Sequence, residues 1–135
     1  MRNMSKATMS VVFVLMAVSA TAEERTIKMY VENRTSYNFV DGQVTNHQQV
    51  NIHSVPTTVN AGKENYIDFH YDKSTADAVH MDVHYTVDSD NGEQIAVKFK
   101  YDGSSFQCHT DVPSDLRSEI QDCDQEQILY YFYNN

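Results

Sequence analysis

The stretch Val79–Val87, VHMDVHYTV, constrains the fold more than any other part of the chain. Val79, Met81, Val83, Tyr85 and Val87 alternate with polar residues without a break. A period of two fits a strand with one buried face, and it cannot line one side of a helix. Shorter runs repeat the pattern: Ile27, Met29 and Val31; Ile67, Phe69 and Tyr71; Ile95, Val97, Phe99 and Tyr101. Each reads as a strand. Weaker candidates are Tyr37 to Val40, and Val44 to Ile52. ILYYFY, Ile128 to Tyr133, is apolar on both faces and reads as a final strand.

Turn chemistry separates these runs at Asp41-Gly42-Gln43, at Ala61-Gly62-Lys63 and at Asp88 to Glu93, DSDNGE. The last of these predicts a hairpin. Setting Val87 opposite Ile95 places Tyr85 against Val97 and Val83 against Phe99 inside, with His84 against Lys98 and Asp82 against Lys100 outside. Asp111 to Cys123, DVPSDLRSEIQDC, departs from alternation. Pro113 suits a first helical turn, Asp111 or Ser114 can cap, and Leu116 with Ile120 forms an i, i+4 apolar pair. The expected fold is all-β: an antiparallel β-sandwich or small barrel of about seven strands, with one short helix.

Met1 to Ala22 reads as a secretory signal. Arg2 and Lys6 precede the apolar run VVFVLMAV, and Ala20 and Ala22 are the small residues before a cleavage site. The apolar run is too short to cross a bilayer, which takes about 20 residues. Residues 23–135 would then form a single domain, periplasmic or secreted. In an oxidising compartment Cys108 and Cys123 read as one disulfide, closing the loop that holds the expected helix. Free thiols are the alternative, with only His109 beside them as a weak activator.

The chain has 10 bases and 19 acids. Loss of Arg2 and Lys6 leaves 8 bases against those 19 acids, a net charge near −11. Such a field repels nucleic acid and anionic lipid and draws in cationic partners. It also keeps an exported protein soluble. All six histidines lie beyond the signal, and their protonation in mild acid would cancel about half of the acidic excess. Affinity for a cationic partner would then weaken from pH 7.5 to 5.5, the range in which a free imidazole, with a pKa of about 6.5, gains its proton.

His80, Asp82 and His84 share a strand face, which raises the question of a metal. At about 3.3 Å per residue, His80 and His84 stand about 13 Å apart, too far for one ion. Asp82 with either histidine would need a third ligand, for which His70 is the candidate, while Lys98 and Lys100 discourage a cation. The expectation is a solvated face with Asp–Lys pairs, and no metal or cofactor. Catalytic motifs are missing too: no G-x-S-x-G, H-E-x-x-H, phosphate loop or C-x-x-C. A Cys108–His109 dyad would lose its nucleophile to the disulfide. The expectation is a protein that is not an enzyme.

Nine tyrosines and no tryptophan are present. Tyr131 and Tyr133 point away from Tyr130 and Phe132 along the last strand, and either form an interface or lie under a second covered face. Asn33-Arg34-Thr35 matches a glycosylation acceptor and equally suits an ordinary exposed turn.

YVENRTSYNF, NIHSVPTTVNAGKENYIDF and HMDVHYTV followed by EQIAVKFKYD resemble the aegerolysin and related cytolysin-like β-sandwiches over about Ile27 to Asp102. The resemblance implies a β-sandwich and a lipid-binding activity. The tryptophans those proteins use at the lipid surface are absent, DKSTADA replaces their glycine-rich centre, and the ending differs.

The function expected first is an exported, acidic binding protein that neutralises a basic protein, in the manner of an immunity or inhibitor protein. Its contact residues would be Asp88, Asp90, Glu93, Asp111, Asp115, Glu119, Tyr131 and Tyr133. The alternatives are an aegerolysin-like lipid binder and a carbohydrate-binding module. They separate experimentally: steep salt dependence marks the first, liposome binding the second, and salt-insensitive glycan retention the third.

Overall fold

The computed structural model of the protein describes residues 24–135, so the expected signal over residues 1–22 lies outside the described residues. Nine strands run in order: β1 Glu24–Arg34, β2 Phe39–Gln48, β3 Asn51–Ser54, β4 Glu64–Asp72, β5 Val79–Val87, β6 Gln94–Tyr101, β7 Phe106–Asp111, β8 Leu116–Cys123 and β9 Gln127–Asn134. They form a five-stranded sheet, β3-β4-β1-β9-β8, and a four-stranded sheet, β2-β5-β6-β7. The inner faces meet through aromatic pairs. Phe39 with Phe132, Phe69 with Phe99, and Tyr71 with Tyr101 each place ring centroids 5.4 Å apart, one ring from each sheet. The alternating apolar residues of the sequence supply this core, including Ile27, Met29, Val31, Ile67, Val83 and Val97. The all-β sandwich expectation therefore holds, with nine strands instead of about seven.

Three details differ from expectation. The five-stranded sheet is mixed, because β1 and β9 pair in parallel from Lys28↔Gln127 to Arg34↔Tyr133. Alternation identifies a strand but says nothing about the direction of its neighbour. Second, the expected helix does not form: Leu116–Cys123 is β8, antiparallel to β9. Leu116 is buried while Ile120 is 41% exposed. A spacing of four is even, so it fits a two-residue period as well as a helical one. Pro113 instead opens a tight turn that closes with a hydrogen bond from Leu116 N to Pro113 O at 3.1 Å. Third, the β5–β6 hairpin pairs Tyr85 with Ile95, Val83 with Val97 and Met81 with Phe99, two residues from the expected register. A two-residue slip keeps every side chain on its face, so face patterning cannot detect it. The turn decides it: Val87 N bonds Glu93 O at 2.7 Å, and Thr86 faces Gln94.

The chain crosses between sheets at both edges. At one edge Gln49, with φ 57°, and buried Val50 carry it from β2 to β3. At the other it passes from β7 to β8, and the Cys108–Cys123 disulfide joins these two strands across the gap, as expected. The Thr110 and Ser118 hydroxyls also bond there, at 2.5 Å. A third tie lies at the end of β1. Asn33 is fully buried, and its Nδ2 donates to Tyr37 O at 2.7 Å and Val59 O at 2.9 Å. Its Oδ1 accepts from Thr35 N at 3.0 Å and Thr35 Oγ1 at 2.7 Å. The glycosylation-like triplet is thus an internal latch, and the acceptor amide is enclosed in the folded protein.

Candidate binding surfaces

Alternation leaves one side of the five-stranded sheet to solvent, and that side is rich in tyrosine. On β1 the outward residues are Lys28, Tyr30, Glu32 and Arg34; on β9 they are Leu129, Tyr131 and Tyr133. Register builds rows from them. Tyr66 of β4 faces Tyr30, which faces Leu129. Glu64, Glu32, Tyr131 and Glu119 form the next row, and Arg34, Tyr133 and Arg117 the last. Tyr30 and Tyr66 have centroids 5.4 Å apart, and Tyr131 and Tyr133 meet edge to face at 6.2 Å. Cations lie over these rings. Lys28 Nζ is 4.9 Å from the Tyr66 centroid, Arg34 is 4.4 Å from Tyr131, and Arg117 is 4.3 Å from Tyr133. Glu32 Oε2 sits 2.6 Å from Arg34 Nε, and this carboxylate raises the guanidinium pKa further. Tyr133 and Glu119 also meet, hydroxyl to carboxylate, at 3.4 Å.

The expected contact residues therefore fall into three groups. Glu119, Tyr131 and Tyr133 lie together on the tyrosine face. Asp88, Asp90 and Asp115 line one recess at the end of the sandwich, with Tyr37, Ser89 and Asn91. Glu93 closes the adjoining turn through its carbonyl. Asp115 immediately precedes β8, so the recess adjoins the Arg34–Tyr133–Arg117 row. Asp111 stands apart, on the outer face of the four-stranded sheet. Lys98 Nζ is 2.8 Å from its Oδ2 and His109 Nε2 is 3.0 Å from its Oδ1. The Lys98 hydrogen bond, aided by His109, holds the Asp111 carboxyl below its ordinary pKa, and Asp111 in turn raises Lys98. Its charge is thus already engaged within the chain.

The His80–Asp82–His84 face lies on that same sheet, where Asp82 pairs with Lys98 and His80 with Lys100. His84 Nδ1 is instead bound to Thr45 Oγ1 at 2.7 Å. Lys98 and Lys100 border His80 and Asp82, and no group of three or more metal-binding side chains gathers among the described residues. Near Cys108 the sulfur is bonded to Cys123, so His109 has no thiol to activate.

Tyr30 and Tyr66 are the surface residues that sequence reading passed over. Both sit at the outward positions of amphipathic strands, where polar residues are expected, and the signal was the exception: an aromatic at such a position in each of two strands. Only pairing shows that they touch. No protein-family model matches the chain, and a search of curated proteins finds no relative.

Proposed function

We propose that this protein is an exported, non-enzymatic binding protein that captures a basic protein partner, in the manner of an immunity or inhibitor protein. The tyrosine face of the five-stranded sheet makes the contact. One observation carries the reading: four tyrosines and two arginines form a continuous, half-open surface on a rigid sheet. Tyrosine and arginine dominate the energetic centres of protein interfaces, and aromatic rings fixed in place cost little ordering entropy on binding. The sign of the partner follows from the acidic balance, a net charge of −9 over the full chain and near −11 without the expected signal, which steers a cationic protein toward it. The Asp88–Asp90–Asp115 recess puts part of that charge beside the tyrosine face.

The carbohydrate-binding and lipid-binding alternatives fit this face less well. Sugars stack on open ring faces, whereas Lys28, Arg34 and Arg117 already lie over Tyr66, Tyr131 and Tyr133. An aegerolysin-like lipid surface would need apolar rings without so many charges among them. The test is affinity purification of the exported form, identification of the protein that co-purifies, and titration of the purified pair. A partner with a basic isoelectric point is expected, with affinity that falls steeply with salt. Tyr131→Ala and Tyr66→Ala each weaken it by about tenfold or more, as truncation of an interface anchor does. Binding to uncharged liposomes at physiological salt, or salt-insensitive retention on a glycan column, would replace this reading with one of the others.

A further inference from the structure

At the far end of the same sheet face, two imidazoles from neighbouring strands meet. His53 lies on β3 at a register shift between Ile52 and Ser54, and His70 lies on β4. Nε2 of His53 and Nδ1 of His70 are in direct contact, with ring centroids 4.5 Å apart. The other nitrogen of His70, Nε2, is 2.8 Å from Glu24 Oε2 on β1. Two neutral imidazoles satisfy this chain of contacts in one way. His70 carries its proton on Nε2 and donates to the Glu24 carboxylate, so its Nδ1 is an acceptor, and His53 donates to it from Nε2. β3 is an edge strand of four residues with β4 as its one sheet neighbour. The imidazole bond therefore fastens an element that has few other ties to the sheet.

We infer that the His53–His70 pair is an acid-sensitive latch, which clamps β3 to β4 at neutral pH and loosens it in mild acid. A first added proton goes to His53 Nδ1, the nitrogen that takes no part in the contact, and leaves the bond intact. A second has only His70 Nδ1 to occupy, the atom that accepts the bond. Both facing nitrogens then carry hydrogens, and two adjacent rings carry like charge. The contact must open for that proton to enter. The open form thus binds more protons than the closed one, and it gains population as pH falls. The charged groups around the pair supply no replacement acceptor. Glu24 already takes the Nε2 proton. On β4, Asp72 accepts from Ser74, and Asp68, with its Oδ1 buried, stands opposite Lys28 of β1 and Ser54 of β3. Lys28 lies over the Tyr66 ring. Thr26 and Asn51, the residues directly opposite His70, are uncharged. His53 is exposed, so it can swing outward without disturbing the core. The inference does not depend on the proposed partner, because β3 takes no part in the tyrosine rows.

The test reads both the bond and the strand it holds, by nuclear magnetic resonance of the isotope-labelled, untagged protein. At about pH 7.5 a nitrogen–nitrogen coupling across the hydrogen bond is expected between His53 Nε2 and His70 Nδ1. It disappears by about pH 5, below the range in which a free imidazole gains its proton and still above that of a free carboxylate. Amide protection in β3, corrected for the intrinsic pH dependence of exchange, falls over the same range by about tenfold, as loss of one hydrogen bond allows. Protection in β5 and β6 does not change. His53→Gln keeps an amide donor near His70 and takes up no proton, so β3 in that variant keeps the same protection at both pH values. The latch is overturned by a coupling that survives at pH 5, by β3 protection that does not fall in the unaltered protein, or by an equal fall in His53→Gln.

Discussion

Tyr71 and Tyr130 are both fully enclosed phenols on inner sheet faces, but their hydroxyls differ. Tyr130 donates to Lys98 O at 2.6 Å, across the sandwich, whereas the Tyr71 hydroxyl is buried without a partner. A buried polar group gains from a bond and costs free energy without one. Tyr130→Phe should therefore lower stability by about 1–2 kcal/mol, while Tyr71→Phe should be neutral or slightly stabilising. Urea unfolding midpoints of the two variants check this, and equal losses would contradict it. Gly42 shows another requirement at single-residue scale. A Cβ there would stand 2.3 Å from the Tyr85 ring and 2.6 Å from Pro56 O, the carbonyl that accepts the Tyr85 hydroxyl bond. The sequence marked Gly42 as turn chemistry, but its role is to let a core tyrosine approach the backbone. Asn33 was similarly half legible: its triplet stood out, while its burial depended on Val59, a residue that only the folded chain brings near it.

Elements were legible in proportion to their amphipathicity. The runs at Ile27, Ile67, Val79 and Ile95 became β1, β4, β5 and β6 because one face of each is fully covered. β7 and β8 were missed for the opposite reason. They are edge strands whose burial is partial, so Phe106, Cys108 and Thr110 alternate only weakly against Gln107 and His109. Edge strands are the ones that the disulfide holds together. Cys108 and Cys123, 15 residues apart, tie the rim of one sheet to the rim of the other. Replacing both with serine should cost about 3 kcal/mol by the loop-entropy argument. Amide exchange in β8 should accelerate more than in β1 or β5, which are paired on both sides. Uniform acceleration would mean that the bond stabilises the molecule as a whole and not its open rim.

For the molecule as a whole, titration of the core sets the alkaline limit. Burial raises the phenol of Tyr71 to about 12 and pushes those of Tyr85 and Tyr130 up as well. These groups ionise more readily in the unfolded chain, near pH 10. Their contribution is fully present below pH 10 and is lost as pH rises through the folded values. Cooperative unfolding on alkaline titration should therefore accompany the appearance of tyrosinate absorbance from these residues, and their ionisation in a still-folded protein would contradict it. The acid limit is set from the other side. Asp102 is held down to about 2 by the backbone amides of Ser105 and Ser104, and Asp124 is lowered by those of Gln127 and Glu126. Their turns keep this support above the ordinary carboxylate range and lose it as pH falls through the lowered values.

The parallel pairing of β1 and β9 has a consequence for assembly. Synthesis runs from β1 to β9, yet β9 fills the slot between β1 and β8. Lys28 must therefore wait for Gln127 before its own strand gains its second neighbour. Closing so distant a contact is slow, because the intervening chain must be ordered first. Any nascent form lacking its last strand has an unfilled groove in the middle of a sheet, and the molecule becomes whole only when its tail arrives.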